Sequence, residues 1–314
     1  MRPERADAEA GRPLAEATVG AYIQTMEPTL EPKTRAVFNL ALRALVSERG
    51  RFLVAGAFAL NHHTGIWRNT KDLDIFCKPE DAGPILDILA RAGFATHIEE
   101  RHWLGKAVKD GVLVDLIWGG GNWQAKVDAH WFDHATVGNV AGVEVPIAPA
   151  EDIILSKAWV AGRERYDGAD ISHLIRACGK TFDWDDLVAR FGDHFMLLLQ
   201  YLVLYRFVYP EERDVVPARL IHDLASRVGT DAEIADGLSF RGPLVDRYAY
   251  LHDLRHEGLA DPREEIARRA GHAVADVTRR RELDGAAFDL GIPYRGAATD
   301  ADAEVEAEHA KSAT

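Results

Sequence analysis

Apolar and polar positions change period several times along this chain, and the changes mark its elements. AVFNLALRALVSERG carries an apolar stripe at Val37, Leu40, Leu42 and Leu45, which predicts a helix within residues 18–49. RFLVAG predicts a short strand from Arg51 that stops at Gly56, and AFALNHHTG a helix turning at Gly65. Lys71 opens KDLDIFCK, where strict alternation predicts a strand with Leu73 and Ile75 on one face and Asp72 and Asp74 on the other. PEDAGPILDILARAG predicts a helix, with Pro79 near its start and Gly93 past its end. ATHIEE, WLGKAVKDG and VLVDLIWG predict three strands, the last two joined by a turn at Lys109-Asp110-Gly111. One further strand, GVEVPIA, follows the glycines at 119–121.

From Pro149 the pattern becomes helical: EDIILSKAWVAGRER, DGADISHLIRACG, DWDDLVARFG and HFMLLLQYLVLYRFVY all have helical length and period. The last is apolar almost all round and predicts a buried helix or an oligomer contact, since Gln200 and Arg206 interrupt it. The expected architecture is α+β. A mixed sheet flanked by helices occupies residues 18–148 with an N-terminal helix, an α-helical C-terminal domain occupies 149–295, and disordered segments lie at 1–17 and 296–314.

Composition narrows the function classes. Of 314 residues 47% are hydrophobic and 28% charged, and no apolar stretch reaches the length of a membrane span. Without a secretory leader and with only Cys77 and Cys178, the expected location is the cytoplasm. The net charge of −13, part of it in the five acids from Asp300 to Glu308, disfavours broad nucleic-acid binding without excluding a local basic patch. Arg279, Arg280 and Arg281 fan around a helix and read as a solvated face.

The chemistry sits in the acidic strands. Asp72 and Asp74 aim two carboxylates at one spot, and Asp115 lies among branched apolar residues in VLVDLIW. Like charges in apolar strands repel and are expensive to desolvate unless a cation lies between them, so the three carboxylates suggest a divalent-metal site. There is no GxxxxGK[ST], no GxGxxG opening a helix and no HExxH, and His97 and His102 lack the cysteine partners of a zinc site.

These residues carry a resemblance. VAGAFALNHHTGIWRNTKDLDIFCK, with Val114-Asp115-Leu116 further on, resembles the signature of the DNA polymerase β-type nucleotidyltransferase superfamily, and within it the minimal, AbiEii-like branch. Gly56, Ala59-Leu60, His63, Gly65, Arg68, Thr70 and Asp72-Leu73-Asp74 match that pattern, and Lys157, Asp167 and Asp170 match its later Lys and acidic motif. The resemblance implies two Mg²⁺ ions held by Asp72, Asp74 and Asp115, with an NTP such as ATP as co-substrate. It also implies transfer of a nucleoside monophosphate to a hydroxyl on a small molecule, a protein or an RNA. Gly56, Ala57, Arg68, Thr70 and Lys157 would face the nucleotide. Ala57 departs from the pattern, which has Gly or Ser there, and loses a hydroxyl that could contact a phosphate. A nucleotidyltransferase-like protein that binds nucleotide or a partner without transfer therefore stays open, as does a two-metal phosphodiesterase or nuclease. By family analogy alone the resemblance also admits a toxin with an antitoxin-like partner.

Overall fold

A computed structural model describes residues 30–162, 165–228 and 237–289. The expectations for 1–17, for 18–29 and for the acidic tail from 296 lie outside the described residues.

The chain enters through α1 (Pro32–Leu45), whose first turn accepts Pro32 because the missing N–H has no partner there in any helix. Its buried stripe is Val37, Phe38, Ala41, Leu42 and Leu45, whereas Leu40 turns outward and is 37% exposed. The spacing i, i+1, i+4, i+5, i+8 follows a 3.6 period more closely than the stripe drawn through Leu40. After β1 (Phe52–Val54) come α2 (Gly56–Thr64), β2 (Asp72–Cys77), a 3-10 turn at Pro79–Asp81 and α3 (Ala82–Arg91). Next are β3 (Ala95–Glu100), β4 (Leu104–Lys109) and β5 (Val112–Ile117), then α4 (Ala129–Asp133), β6 (Thr136–Val140) and β7 (Val143–Ile147). The structure thus adds β6, which the sequence reading lacked. Ala141 and Gly142 both take positive φ (51° and 84°), as do Asp110 and Gly111 (53° and 77°), so each pair closes a two-residue hairpin.

The strands form one seven-stranded sheet in the order β3-β4-β5-β2-β1-β7-β6. The pairs β2–β5 and β1–β7 are parallel and the others antiparallel, which makes the sheet mixed. Along β2 the odd residues Leu73, Ile75 and Cys77 are fully buried, and the even positions lie partly open on the other face.

The C-terminal helices are α5 (Ala150–Lys157), α6 (Gly168–Cys178), α7 (Trp184–Phe191), α8 (Phe195–Val208), α9 (Ala218–Val228), α10 (Gly242–Val245), α11 (Leu251–Arg255), α12 (Pro262–Arg269) and α13 (Val274–Asp289). One hydrophobic core runs without a break from Val37 on α1 to Leu224 on α9, so sheet and helices share an interior. The run Trp184–Val208 is long and apolar enough, by length and composition alone, to cross a membrane. Here Gly192 (φ 51°) ends α7, and Leu198, Tyr201, Leu202 and Tyr205 of α8 are fully buried, so one face of α8 lies in the core. Val203 and Phe207 lie on its outer face.

A smaller cluster of Trp123, Ala267 and Val277 fastens the last helices to the loop after β5. There the arginine run departs from the solvated face read in the sequence. Arg280 pairs with Glu100 at the end of β3 (3.2 Å) and with Asp284 (3.2 Å), and Arg281 with Glu264 (2.7 Å). Acids supplied by β3, α12 and α13 itself draw two of the three guanidiniums inward.

Candidate active site

The site begins at a turn only glycine can make. Gly56 leaves β1 with φ 56°, and a Cβ there would lie 1.7 Å from Asp74 Oδ2. Its absence lets the start of α2 press against the Asp74 carboxylate. The backbone N–H of Ala55 donates to the Asp74 carbonyl oxygen at 3.0 Å. No side chain caps α2, so the amides of its first turn, including that of Ala57, remain available at the positive end of a helix. His63, the next-to-last residue of α2, donates from Nε2 to the Ala148 carbonyl oxygen at 2.8 Å, a structural tie between α2 and the end of β7.

The parallel ladder between β2 and β5 sets Asp74 directly beside Asp115 and Asp72 beside Leu113. Paired residues share a face, so the three carboxylates converge on the open side of the sheet. Thr70 Oγ1 donates to Asp72 Oδ1 at 2.7 Å and fixes that carboxylate from the loop ahead of β2. Burial, reinforced by Asp72 and Asp115, pushes the Asp74 carboxyl up to about 7, with Arg165 and Lys157 pulling the other way. Asp115 is pushed up to about 6, chiefly by burial, with Lys106 opposing and Asp72 adding to the rise. Oδ1 of Asp115 is buried without a hydrogen-bond partner.

The cations expected at a triphosphate are engaged with protein. Lys157 Nζ, at the end of α5, lies 2.8 Å from Asp167 Oδ2 and 2.9 Å from Asp170 Oδ2. Arg68 pairs with the other oxygen of Asp170, and Arg165 approaches Asp167 at 3.3 Å. Burial alone would raise Asp167, yet Lys157 and Arg165 hold it below the usual carboxylate range. Asp167 occupies the N-cap position of α6 but makes no side-chain cap there, because its carboxylate is turned to Lys157. The structure therefore gathers Gly56, Asp72, Asp74 and Asp115 and sets Lys157 and Arg165 close enough to act on Asp74. Arg68 stands behind them, joined to Lys157 through Asp170. Arg165 and Lys106 escaped the sequence reading. Lys106 lies in no motif and is brought in by strand register, while Arg165 falls inside the run from Lys157 to Asp170 without being one of its matched residues.

Among the described residues, no group of three His, Cys, Asp or Glu side chains could by itself hold a metal ion. Mg²⁺ seldom needs such a cage, since it binds through one or two carboxylates and fills its shell with water and phosphate. The partnerless Asp115 oxygen and the mutual repulsion of Asp74 with its neighbours suit a hard cation shared with a phosphate.

Residues 62–205 match the model of a family described as an uncharacterised nucleotidyltransferase. This span is a little under half of the chain and takes in Asp72, Asp74, Asp115, Lys157, Asp167 and Asp170. The match supports the nucleotidyltransferase superfamily and does not reach the AbiEii-like branch. No curated protein matches the chain. Among solved structures, the chain is similar to the antibiotic-resistance factor ANT(2'')-Ia, at 18% identity and a TM-score of 0.40, covering 55% of this chain and 98% of that one. It is similar to the lincosamide antibiotic adenylyltransferase LnuA (14% identity, TM-score 0.33, 47% and 98% covered). A third likeness is to the Megavirus polyadenylate synthase (14% identity, TM-score 0.35, 58% and 42% covered). At such scores these neighbours say nothing about what this chain acts on.

Proposed function

We propose that the protein is a Mg²⁺-dependent nucleotidyltransferase that moves a nucleoside monophosphate from an NTP to an acceptor hydroxyl. The observation that carries this reading is the pairing of Asp74 with Asp115 on adjacent parallel strands, against the uncapped start of a helix that Gly56 alone permits. Asp72, Asp74 and Asp115 would hold the metal, which when bound neutralises charge on the phosphates and on the attacking and leaving oxygens. The amides of Gly56 and Ala57 would receive the phosphates. Lys157 would add positive charge, with Arg68 and Thr70 fixing the loop that leads to Asp72. Asp115 would accept the acceptor's proton as its oxygen attacks the α-phosphorus and pyrophosphate leaves.

The AbiEii-like assignment is a finer part of this proposal and rests on the chain's own motif; an antitoxin-like partner would follow only from it. A second reading, nucleotide binding without transfer, is favoured by Ala57 and by the engagement of Lys157 with two carboxylates. Incubation of the protein with Mg²⁺, each α-labelled NTP and a metabolite extract separates the two. Labelled product and released pyrophosphate, both lost in Asp74→Asn, are the expected result. Nucleotide binding that needs no metal and yields no pyrophosphate would establish the binder instead.

A further inference from the structure

We propose that the outer face of α8 is the seam of a homodimer, in which a second copy of this chain lays its own α8 antiparallel across it. The face carries Met196, Gln200, Val203 and Phe207, at steps of four, three and four residues. That is the seven-residue repeat by which two helices pack along a seam. Met196, Val203 and Phe207 are 41%, 52% and 83% exposed. On the opposite face Leu198, Tyr201, Leu202 and Tyr205 are fully buried, and α8 packs against α6, α7 and α9. A helix that fills the core with one face has no local reason to be apolar on the other.

The pattern is its own complement. Steps of four, three and four read the same from either end, so an antiparallel copy fits with a two-fold axis between Gln200 and Val203. Met196 then meets Phe207 of the second copy, and Gln200 meets Val203. The two Gln200 amides come within a turn of each other across the axis, where a polar pair fixes register and direction at some cost in stability.

Charges at the two ends favour the same direction. At the start of α8 stand Asp193, exposed in the turn before it, and Arg227, whose guanidinium lies 3.9 Å from the centre of the Phe195 ring. Past its end stand Glu211 and Arg213, both exposed. Antiparallel packing sets Arg227 toward Glu211 of the second copy and Asp193 toward its Arg213, whereas parallel packing would set each charge against its like. A lipid surface fits less well. The 14 residues of α8 span only about 21 Å, and its seam holds Gln200 between ends that carry both signs of charge.

Analytical ultracentrifugation of the full chain tests the seam. The wild type is expected to pass from monomer to dimer between about 1 and 100 μM. Phe207→Glu, at a position the single chain leaves open, should keep the wild-type circular dichroism and raise the dissociation constant by about 100-fold. Glu211→Arg and Arg227→Glu should each weaken the dimer by about fivefold, and the double variant should return it to within about twofold of wild type. Glu211 and Arg227 lie at opposite ends of α8, so a coupling between them can run only between copies. A monomer throughout that range overturns the proposal, including one that sediments with phosphatidylglycerol vesicles instead. A dimer that Phe207→Glu leaves intact, or charge changes that add without rescue, overturns it as well.

Discussion

The two ends of β3-β4-β5-β2 treat their acids in opposite ways. Where the C-terminal helices meet the end of β3, each buried acid faces arginine. Asp261 pairs with Arg263 at 2.7 Å, and Asp284 lies between Arg247 (3.1 Å) and Arg280 (3.2 Å). At the open face of β2 and β5 the acids face one another, and Asp74 and Asp115 are both pushed upward. An acid matched to a guanidinium satisfies its charge within the fold. An acid held against other acids serves a group the fold does not contain, and the rise in its pKa marks a candidate functional site.

The largest expected effect breaks that contrast directly. Asp74→Asn should lower transfer by at least about 1,000-fold, because it removes a charge the transition state needs and little that the fold needs. It should also melt at a higher temperature than wild type without metal at neutral pH, because it relieves repulsion. In the C-terminal cluster the sign reverses. Asp261→Asn strands the buried guanidinium of Arg263 and should destabilise the protein by about 3 kcal/mol in denaturant unfolding.

A smaller effect separates the two regions by pH. Asp74 titrates near 7 in the folded chain, above the ordinary 3.8, so the folded state binds the proton more tightly than the unfolded one. Its burden is absent below about pH 4, grows as pH rises and is complete above about 7. The stability of Asp74→Asn relative to wild type should therefore increase by about 2 kcal/mol between pH 4 and 8, after allowance for solvent screening. A flat difference across that range would show that Asp74 is not pressed by its neighbours. The smallest effect is metal rescue. Mg²⁺ with NTP at about ten times its dissociation constant should stabilise wild type by about 1.4 kcal/mol in thermal melts, and Asp74→Asn by far less.

Much of this arrangement was legible in the residues. Alternation in DLDIFC placed both carboxylates on one face, and Gly56, Gly65 and Gly93 marked turns that take φ of 56°, 73° and 88°. The hairpin at Asp110-Gly111 was equally plain. Strand β6 was not, because TVGNV has no alternation of its own and becomes a strand only by pairing with β7. The arginine run was misread for a related reason. Three consecutive residues on a helix say nothing about whether Glu100, from a distant strand, waits on the other side.

Local sequence determined most of the elements, the turns and the three carboxylates, since period and backbone sterics act over a few residues. The tertiary structure decided the neighbours. It chose Asp115 for Asp74, Lys106 for Asp115, and Asp167 with Asp170 for Lys157. Such choices depend on which strands lie side by side and where a later helix returns, and no pattern local to any one strand contains that information.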